Sequence, residues 1–384
     1  MTRYTRRIFF YSAVAVFALL APVLIAYSIG YTFHLNTVSL EKTGGIFIKS
    51  KTPRMSVFLD GTFVKETSYL SGGALLTEIT PGVHHLRMEK ANHHPWSTTI
   101  NVDPMLVTDF RNIVLILNPV SIATSTPDEL NAIQSSAASM PSHSVAPEET
   151  ISVSDFSTPV SSSAFFLDTN GNLIGKTATT SKIFASHINS FSLIEKMVYF
   201  INKNGFLGKL DPVSEYITNI GRPGFYLLDK PAQFSQAPDG SIVILDASGG
   251  LFLSDGSTNI KTITGGVKQF AFDINGKKML IRKDQSIDIL WLEDNSFQPF
   301  EKSGTQEQVF ASDTAIQDAD WFFADNAHII IRTADGIFFA DIDVRDDKNI
   351  IQLFFKKTDK LVTIPSLPTS IFFRKGETFF TISI

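Results

Sequence analysis

The chain of 384 residues has no cysteine. That excludes disulfides, thiolate zinc centres and cysteine nucleophiles together. Charge is scarce as well. Asp, Glu, Lys and Arg make up 18% of residues, with 33 basic side chains against 38 acidic ones and a formal net charge of −5. Such a chain has no surplus of cations to lay along phosphates, so no nucleic-acid partner is expected. Sequence signatures of chemistry are missing too: there is no G-x-S-x-G, P-loop, H-E-x-x-H or dinucleotide fingerprint. Gly44-Gly45 and Gly72-Gly73 have no helix behind them to cradle a phosphate. No catalytic, cofactor-binding or metal residue is therefore assigned, and no cofactor is expected. With 43% hydrophobic residues the chain is still far from a disordered polyelectrolyte. Its length suits two or three domains.

What is present begins with a long apolar run. Ile8 to Ile29 reads IFFYSAVAVFALLAPVLIAYSI, and no charged residue falls between Arg7 and Glu41. As a helix this run is about 33 Å long, enough to cross a hydrocarbon core of about 30 Å. Arg3, Arg6 and Arg7 flank its amino end, and no comparable cluster follows. The positive-inside rule then keeps residues 1–7 in the cytoplasm and sends the remainder across. Tyr27, Tyr31 and Phe33 suit the far interface, so the expected membrane segment is 8–33. A cleaved signal peptide is the competing reading, but its apolar region is shorter and Ala26-Tyr27-Ser28 fits an A-x-A-like site poorly.

Residues 44–117 alternate apolar and polar side chains in short runs punctuated by turns. Ile46 and Ile48, then Val57 and Leu59, mark strands; Asp60-Gly61 is a hairpin signal. Pro81-Gly82 precedes a strand over Val83–Met88, and further strands are expected at Ser97–Val102 and Arg111–Leu117. The order Gly45-Ile46-Phe47-Ile48, Val57-Phe58-Leu59-Asp60-Gly61 and Thr80-Pro81-Gly82-Val83-His84 resembles the PEGA domain family. That family has a strand opening with Gly, a V-x-[LV]-D-G hairpin and a later x-P-G-x-H turn into a strand. The PEGA tetrapeptide itself is absent, with Pro53-Arg54-Met55-Ser56 near its place. The resemblance implies a small β-sandwich of a cell-surface or envelope protein without enzymatic activity.

Residues 118–163 are dominated by Ser, Thr, Ala and Pro, with apolar side chains scattered without period. This composition predicts a disordered tether, with room for a short helix near Pro127–Ser135, that uncouples the two flanking modules. Residues 164–384 then repeat. Phe270–Leu292 and Trp321–Ile342 share one pattern: an aromatic strand, a polar turn, a strand ending in Arg282 or Arg332, a second turn and another apolar strand. Related starts fall near Ser192, Phe234, Phe272, Phe323 and Phe372, about 40–50 residues apart, as in propeller blades. Phe numbers 33 against 8 Tyr and 3 Trp, so most rings lack a polar handle and suit buried sheet faces. In period and pattern the region resembles degenerate WD40-like propellers without their Gly-His and Trp-Asp signatures. Five or six blades are expected, with the Asp168–Gly171 segment closing the ring against the C-terminal strand Phe379–Ile384. An open array or a pair of sandwiches is the alternative.

Candidate chemistry is thin. His84-His85 and His93-His94 carry metal-ligating rings, but neighbours on a strand point to opposite faces, so turn and edge histidines are the simpler reading. Asp168-Thr169-Asn170-Gly171-Asn172 begins like a calcium loop, yet Leu173 and Thr179 stand where Gly and a bidentate Glu belong. Asp273–Gly276, Asp239-Gly240 and Asp335-Gly336 are read as hairpin turns. The acidic run Asp341, Asp343, Asp346 and Asp347 is read as a solvated loop. The expectation is thus an all-β, membrane-anchored envelope protein. It comprises a single transmembrane helix, a PEGA-like sandwich and a propeller-like domain, and it is non-catalytic. Its extracytoplasmic domains would bind or scaffold an envelope protein or wall glycan. The alternative is an envelope hydrolase or lyase with its site in the C-terminal propeller.

Overall fold

The computed structural model describes residues 3–28, 31–34, 39–139, 144–145, 164–176, 180–222, 231–237, 239–255, 259–345 and 348–384. Helix α1 spans Arg3–Ser28. Its apolar stretch Tyr4–Ala26 is long enough to cross a membrane, and none of it is covered by the other described residues. The helix ends before the expected residue 33: Tyr31–His34 is strand β1, paired antiparallel with β2, Ser39–Lys42. Gly30 is a poor helix former, and the aromatic and β-branched residues after it favour extended backbone.

Residues 44–113 form two facing sheets. One has the order β6 (Gly73–Ile79), β3 (Gly44–Ser50), β9 (Val107–Ile113); the other has β5 (Thr62–Glu66), β4 (Ser56–Leu59), β7 (Gly82–Glu89), β8 (Trp96–Val102). Alternation puts Ile46, Ile48, Val57, Leu86, Met88 and Ile100 into one core. The β4–β5 turn holds Asp60 and Gly61 at φ of 51° and 78°, the left-handed pair that a tight hairpin requires. The last strand covers 107–113 rather than 111–117. Beyond it the chain still alternates: Leu115 packs into the sandwich, whereas Val114 and Ile116 point into the C-terminal module.

Among the described residues six small antiparallel sheets follow. Sheet one is Ala164–Leu167, Leu173–Lys176 and Ser181–Ala185. Sheets two to five each have four strands in chain order and begin at Ile188, Gln233, Gln269 and Ile316. The short strand Ser144–Val145 adds to the edge of sheet four. Sheet six comprises Lys360–Thr363, Ser370–Lys375 and Thr378–Ser383. The paired sequences at 270–292 and 321–342 coincide in the second and third strands of sheets four and five, but the expected aromatic first strand at 321 is only the end of Ile316–Trp321, and Phe322 and Phe323 lie in the turn after it. Neighbouring sheets stack through side chains that alternate sides. In the strand His328–Thr333, Ile329 and Ile331 face sheet four, and Ile330 faces sheet six. Both faces are covered, so the strand reads as a continuous apolar run. Phe272 and Phe323, expected inside, are 2% and 8% exposed.

The structure differs from the sequence reading at the tether. Ile122–Thr124, strand β10, pairs with Phe380–Ile382 and supplies the fourth strand of sheet six. The C-terminal strand is therefore closed by the segment before the array and not by residues 168–171. Helix α2 (Pro127–Ser139) follows. Thr126 and Glu129 cap it reciprocally, the Glu129 N–H donating to Thr126 Oγ1 and the Thr126 N–H to Glu129 Oε2, with Pro127 at the first helical position. Leu130 and Ile133 lie on Val362, Ile364, Phe372 and Phe379. This helix covers the face of sheet six opposite sheet five, where a closing first sheet would stack. Among the described residues no apolar cluster joins sheet one to sheet six. The remainder of the expected tether, apart from 144–145, lies outside the described residues up to Ala164.

Candidate functional site

The strongest concentration of charge lies where the sandwich meets sheets four and five. Asp325 sits in the first turn of sheet five and His328 opens its second strand. The His328 imidazole, 2% exposed, is 2.8 Å from Asp325 Oδ2 through Nδ1 and 2.7 Å from Asp341 Oδ1 through Nε2. It stacks on Phe339 at 4.6 Å. Burial works against its charge, but the carboxylates on either side carry its pKa up to about 10, so it is an imidazolium at neutral pH. Asp341 has a second partner: Trp96 of β8 donates its indole N–H to Asp341 Oδ2 at 2.8 Å. The chain of contacts Asp325–His328–Asp341–Trp96 thus ties a buried charge in the array to the sandwich.

A second tie lies alongside. Arg345 binds Asp343 through two nitrogens, donates to the Asp109 carbonyl at 2.9 Å and to Gln298 Oε1 at 2.9 Å, and lies 4.6 Å over the Phe110 ring. Gln298 in turn donates to the Val107 carbonyl at 3.0 Å and accepts the Asp109 N–H at 2.8 Å. Lys51 donates to the Ala324 carbonyl. These bonds, with Val114 and Ile116 in the cluster of Phe322, Ile330 and Phe339, dock the sandwich directly on the array. The expected uncoupling of the two modules is corrected on this ground. So is the reading of the acidic run as a solvated loop: Asp341 and Asp343 are internal acceptors, while Asp346 and Asp347 lie outside the described residues.

The repeated arginines also have a shared function. Arg282 donates to Gln269 on the neighbouring first strand at 2.8 Å and to the Ile316 carbonyl, where sheet five begins, at 2.6 Å. Arg332 holds Asp318 at 2.6 Å and the Thr358 carbonyl, at the entry to sheet six, at 2.7 Å. Each closes its own sheet and fixes the start of the next. Lys278, at the position matching His328, lies between the Trp291 and Trp321 rings, 3.7 Å from Asp273. Burial lowers its pKa, with Asp273 opposing. Both turns thus set a largely buried cation against an acid, but from different places: Asp273 lies five residues before Lys278 and Asp325 three before His328. The aligned repeats show only the cation, four residues before the Arg in each.

The other candidates are turns. His84 is held 2.7 Å from Asp60 and from the Thr80 carbonyl, and the His85 N–H also bonds Asp60. His93 Nδ1 meets the Ala91 carbonyl. The four imidazoles do not converge, and no group of three or more metal-ligating side chains occurs among the described residues. Asp168 accepts the N–H groups of Asn170 and Asn172 and the Asn172 amide at 2.8 Å, which hold its pKa below the usual carboxylate range. Asp239 and Asp273 are used in the same way.

Asp320, on the first strand of sheet five, accepts from Thr363 Oγ1 at 2.6 Å and from the Trp321 N–H at 2.8 Å. Burial pushes its pKa up to about 6, against those two bonds and with Asp318 adding to the rise. A carboxyl raised above its unfolded value binds its proton more tightly when folded, so it lowers stability as pH climbs from about 4 to about 6. Asp320→Asn is therefore expected to raise Tm at neutral pH and to leave it nearly unchanged near pH 4. Thermal unfolding at the two pH values checks this, and a loss of Tm at neutral pH would contradict it.

At the edge of the seam is a shallow cleft of about 350 Å³ between the outward face of the β6–β3–β9 sheet and the loop 296–300. It is lined by Phe47, Leu75, Val107, Phe297 and Phe300, with Asp109 and Arg111 on one wall.

No family profile and no curated protein matches the sequence. Parts of solved structures are similar to it. The extracellular domain of a protein assigned as a one-component system of B. thetaiotaomicron is 11% identical, with a TM-score of 0.35 over 57% of this chain and 32% of that one. The WD40 β-propeller domain of Doa1 is 10% identical, with a TM-score of 0.32 over 58% of this chain and 79% of that one. A further extracellular domain, of a hybrid two-component system of B. thetaiotaomicron, is 16% identical, with a TM-score of 0.30 over 59% of this chain and 32% of that one. The matched part thus spans about a third of those extracellular domains. The chain is an all-β protein with a propeller-like array and an apolar N-terminal helix.

Proposed function

We propose that this is a non-catalytic, single-pass membrane protein of the cell envelope, with residues 1–7 in the cytoplasm and its β modules outside. The observation that carries the reading is α1. None of the described residues covers its apolar stretch Tyr4–Ala26, so lipid is the solvent that suits it. Arg3, Arg6 and Arg7 precede the span and favour an N-terminus that stays inside. The 44–117 module is read as PEGA-like, supported by its two-sheet sandwich, the Asp60-Gly61 hairpin and the strand that follows Pro81-Gly82. The buried acids and bases in the described part of the array hold sheets and modules together, which supports binding or scaffolding over catalysis. Loops on this rigid β frame would contact an envelope protein or a wall glycan.

The absence of native cysteine makes the topology directly testable. Ser121 is exposed between the sandwich and β10, and the only thiol of Ser121→Cys is expected to react with an impermeant maleimide on intact cells. Labelling only after lysis would reverse the topology. A mature chain beginning after Tyr31 in the medium would replace the anchor with a cleaved signal.

A further inference from the structure

We propose that the loop Met105–Val107 and the loop Phe297–Phe300 form an apolar rim lying in the headgroup layer of the bilayer that α1 crosses. The inference rests on the anchor reading above and adds a specific lipid-contact surface to it.

The rim is close to the membrane because the chain leaves it no slack. Ser28 ends α1, and Tyr31 pairs with Lys42 across the β1–β2 hairpin, so the ten residues between them add almost nothing to the reach. Three chain steps, one strand spacing and one further step separate Ser28 from Thr43, at most about 21 Å. The Thr43 carbonyl accepts the Met105 N–H at 2.9 Å, and the Gly45 N–H donates to the Leu106 carbonyl at 2.9 Å. The loop at 105–107 is thus fastened to the point where the sandwich leaves the membrane helix. The 26 residues of α1 span about 39 Å, so its ends extend past a core of about 30 Å into the headgroups.

The chemistry of the rim suits lipid. Met105, Leu106, Val107, Leu75, Phe297 and Phe300 are each between 46% and 69% exposed, although they come from two loops and one sheet face that adjoin at the cleft. Leu75, Val107, Phe297 and Phe300 line the cleft, and Met105 and Leu106 precede Val107 along the chain; such a group is more than the single scattered apolar side chains an ordinary surface carries. The cation lining the cleft, Arg111, lies 4.4 Å over Phe297 and is paired with Asp109 at 2.6 Å. Asp103 flanks the loop on its other side. With its cation already paired, the rim is held by apolar insertion and not by attraction to anionic headgroups.

The test uses the full chain in phosphatidylcholine vesicles, with one environment-sensitive fluorophore on Leu106→Cys, Phe300→Cys or Leu70→Cys. Leu70 is 93% exposed, and its loop joins the far end of β3 through the Ser50 N–H to Gly72 carbonyl bond, about 20 Å from Gly44. Spin-labelled phosphatidylcholine is expected to cut emission at 106 and 300 by about twofold or more, to leave 70 unaffected, and to act equally at low and high salt. Flotation of the same samples separates the two readings. Protein that floats but shows no quenching at 106 and 300 overturns the lipid contact and leaves the rim to a protein partner. Protein that fails to float overturns the anchor itself.

Discussion

Replacing His328 with alanine is expected to destabilise the protein by about 3–5 kcal/mol, because it leaves buried charge without its partner. The Asp325 side chain is 0% exposed and the His328 side chain 2%, so water cannot replace the lost imidazolium. Asp341 would keep only the Trp96 N–H, which weakens the seam as well as the sheet. Denaturant unfolding of the full chain in detergent, followed by tryptophan fluorescence, reads this directly. Two of the three tryptophans, Trp291 and Trp321, flank Lys278 beside Asp325, and the third, Trp96, bonds Asp341. Removing both charges together, with Asp325→Asn and His328→Gln, is expected to cost less than the two single changes summed. Simple additivity would mean the pair is not coupled. The pH dependence has a definite sign. His328 has a pKa raised to about 10 from 6.5. Its contribution is therefore fully present below about pH 6.5 and is lost as pH rises towards about 10. Alkaline destabilisation across that window should be steeper in the native chain than in His328→Ala.

Trp321→Ala is expected to cost a comparable amount, about 3–5 kcal/mol. Trp321 is fully buried between sheets four and five, among Ala271, Leu280, Ile289 and Ile331. Its indole donates to the Ala271 carbonyl at 3.0 Å, and Lys278 lies 5.6 Å over its ring. Alanine leaves a cavity at the boundary between two sheets; phenylalanine refills most of it and loses the hydrogen bond, costing about 1–3 kcal/mol. The ordering alanine worse than phenylalanine worse than native is the check. If both variants lost less than about 1 kcal/mol, the stacking of sheets four and five would not depend on this ring.

These two residues show how far the chain could be read without its structure. Trp321 was visible as the start of a repeat, and burial followed from the aromatic strand pattern. His328 was not singled out, although the aligned repeats set it opposite Lys278, because a lone histidine in an apolar strand carries no sign of its partners. Asp341, thirteen positions on, was read as part of an acidic surface run. Only the register of the second and third strands, His328 opposite Asp341, turns that acid inward. The Thr126–Glu129 capping signal was present within a Ser/Thr-rich stretch whose average composition pointed to a tether. Four residues of local hydrogen bonding and two apolar anchors, Leu130 and Ile133, outweighed the average.

The sequence by itself determined the apolar helix, the strand-rich module behind the Asp60-Gly61 and Pro81-Gly82 turns, and the repeating sheets. All of these rest on local periodicity and turn chemistry. The tertiary structure alone decided that β10 completes sheet six, that α2 covers the face where a closing sheet would stack, and that the sandwich is docked on the array. Those outcomes depend on pairings between residues up to 260 positions apart, such as Ile122 with Ile382 and Trp96 with Asp341. Such pairings arise from the complementarity of surfaces that exist only after each sheet has formed.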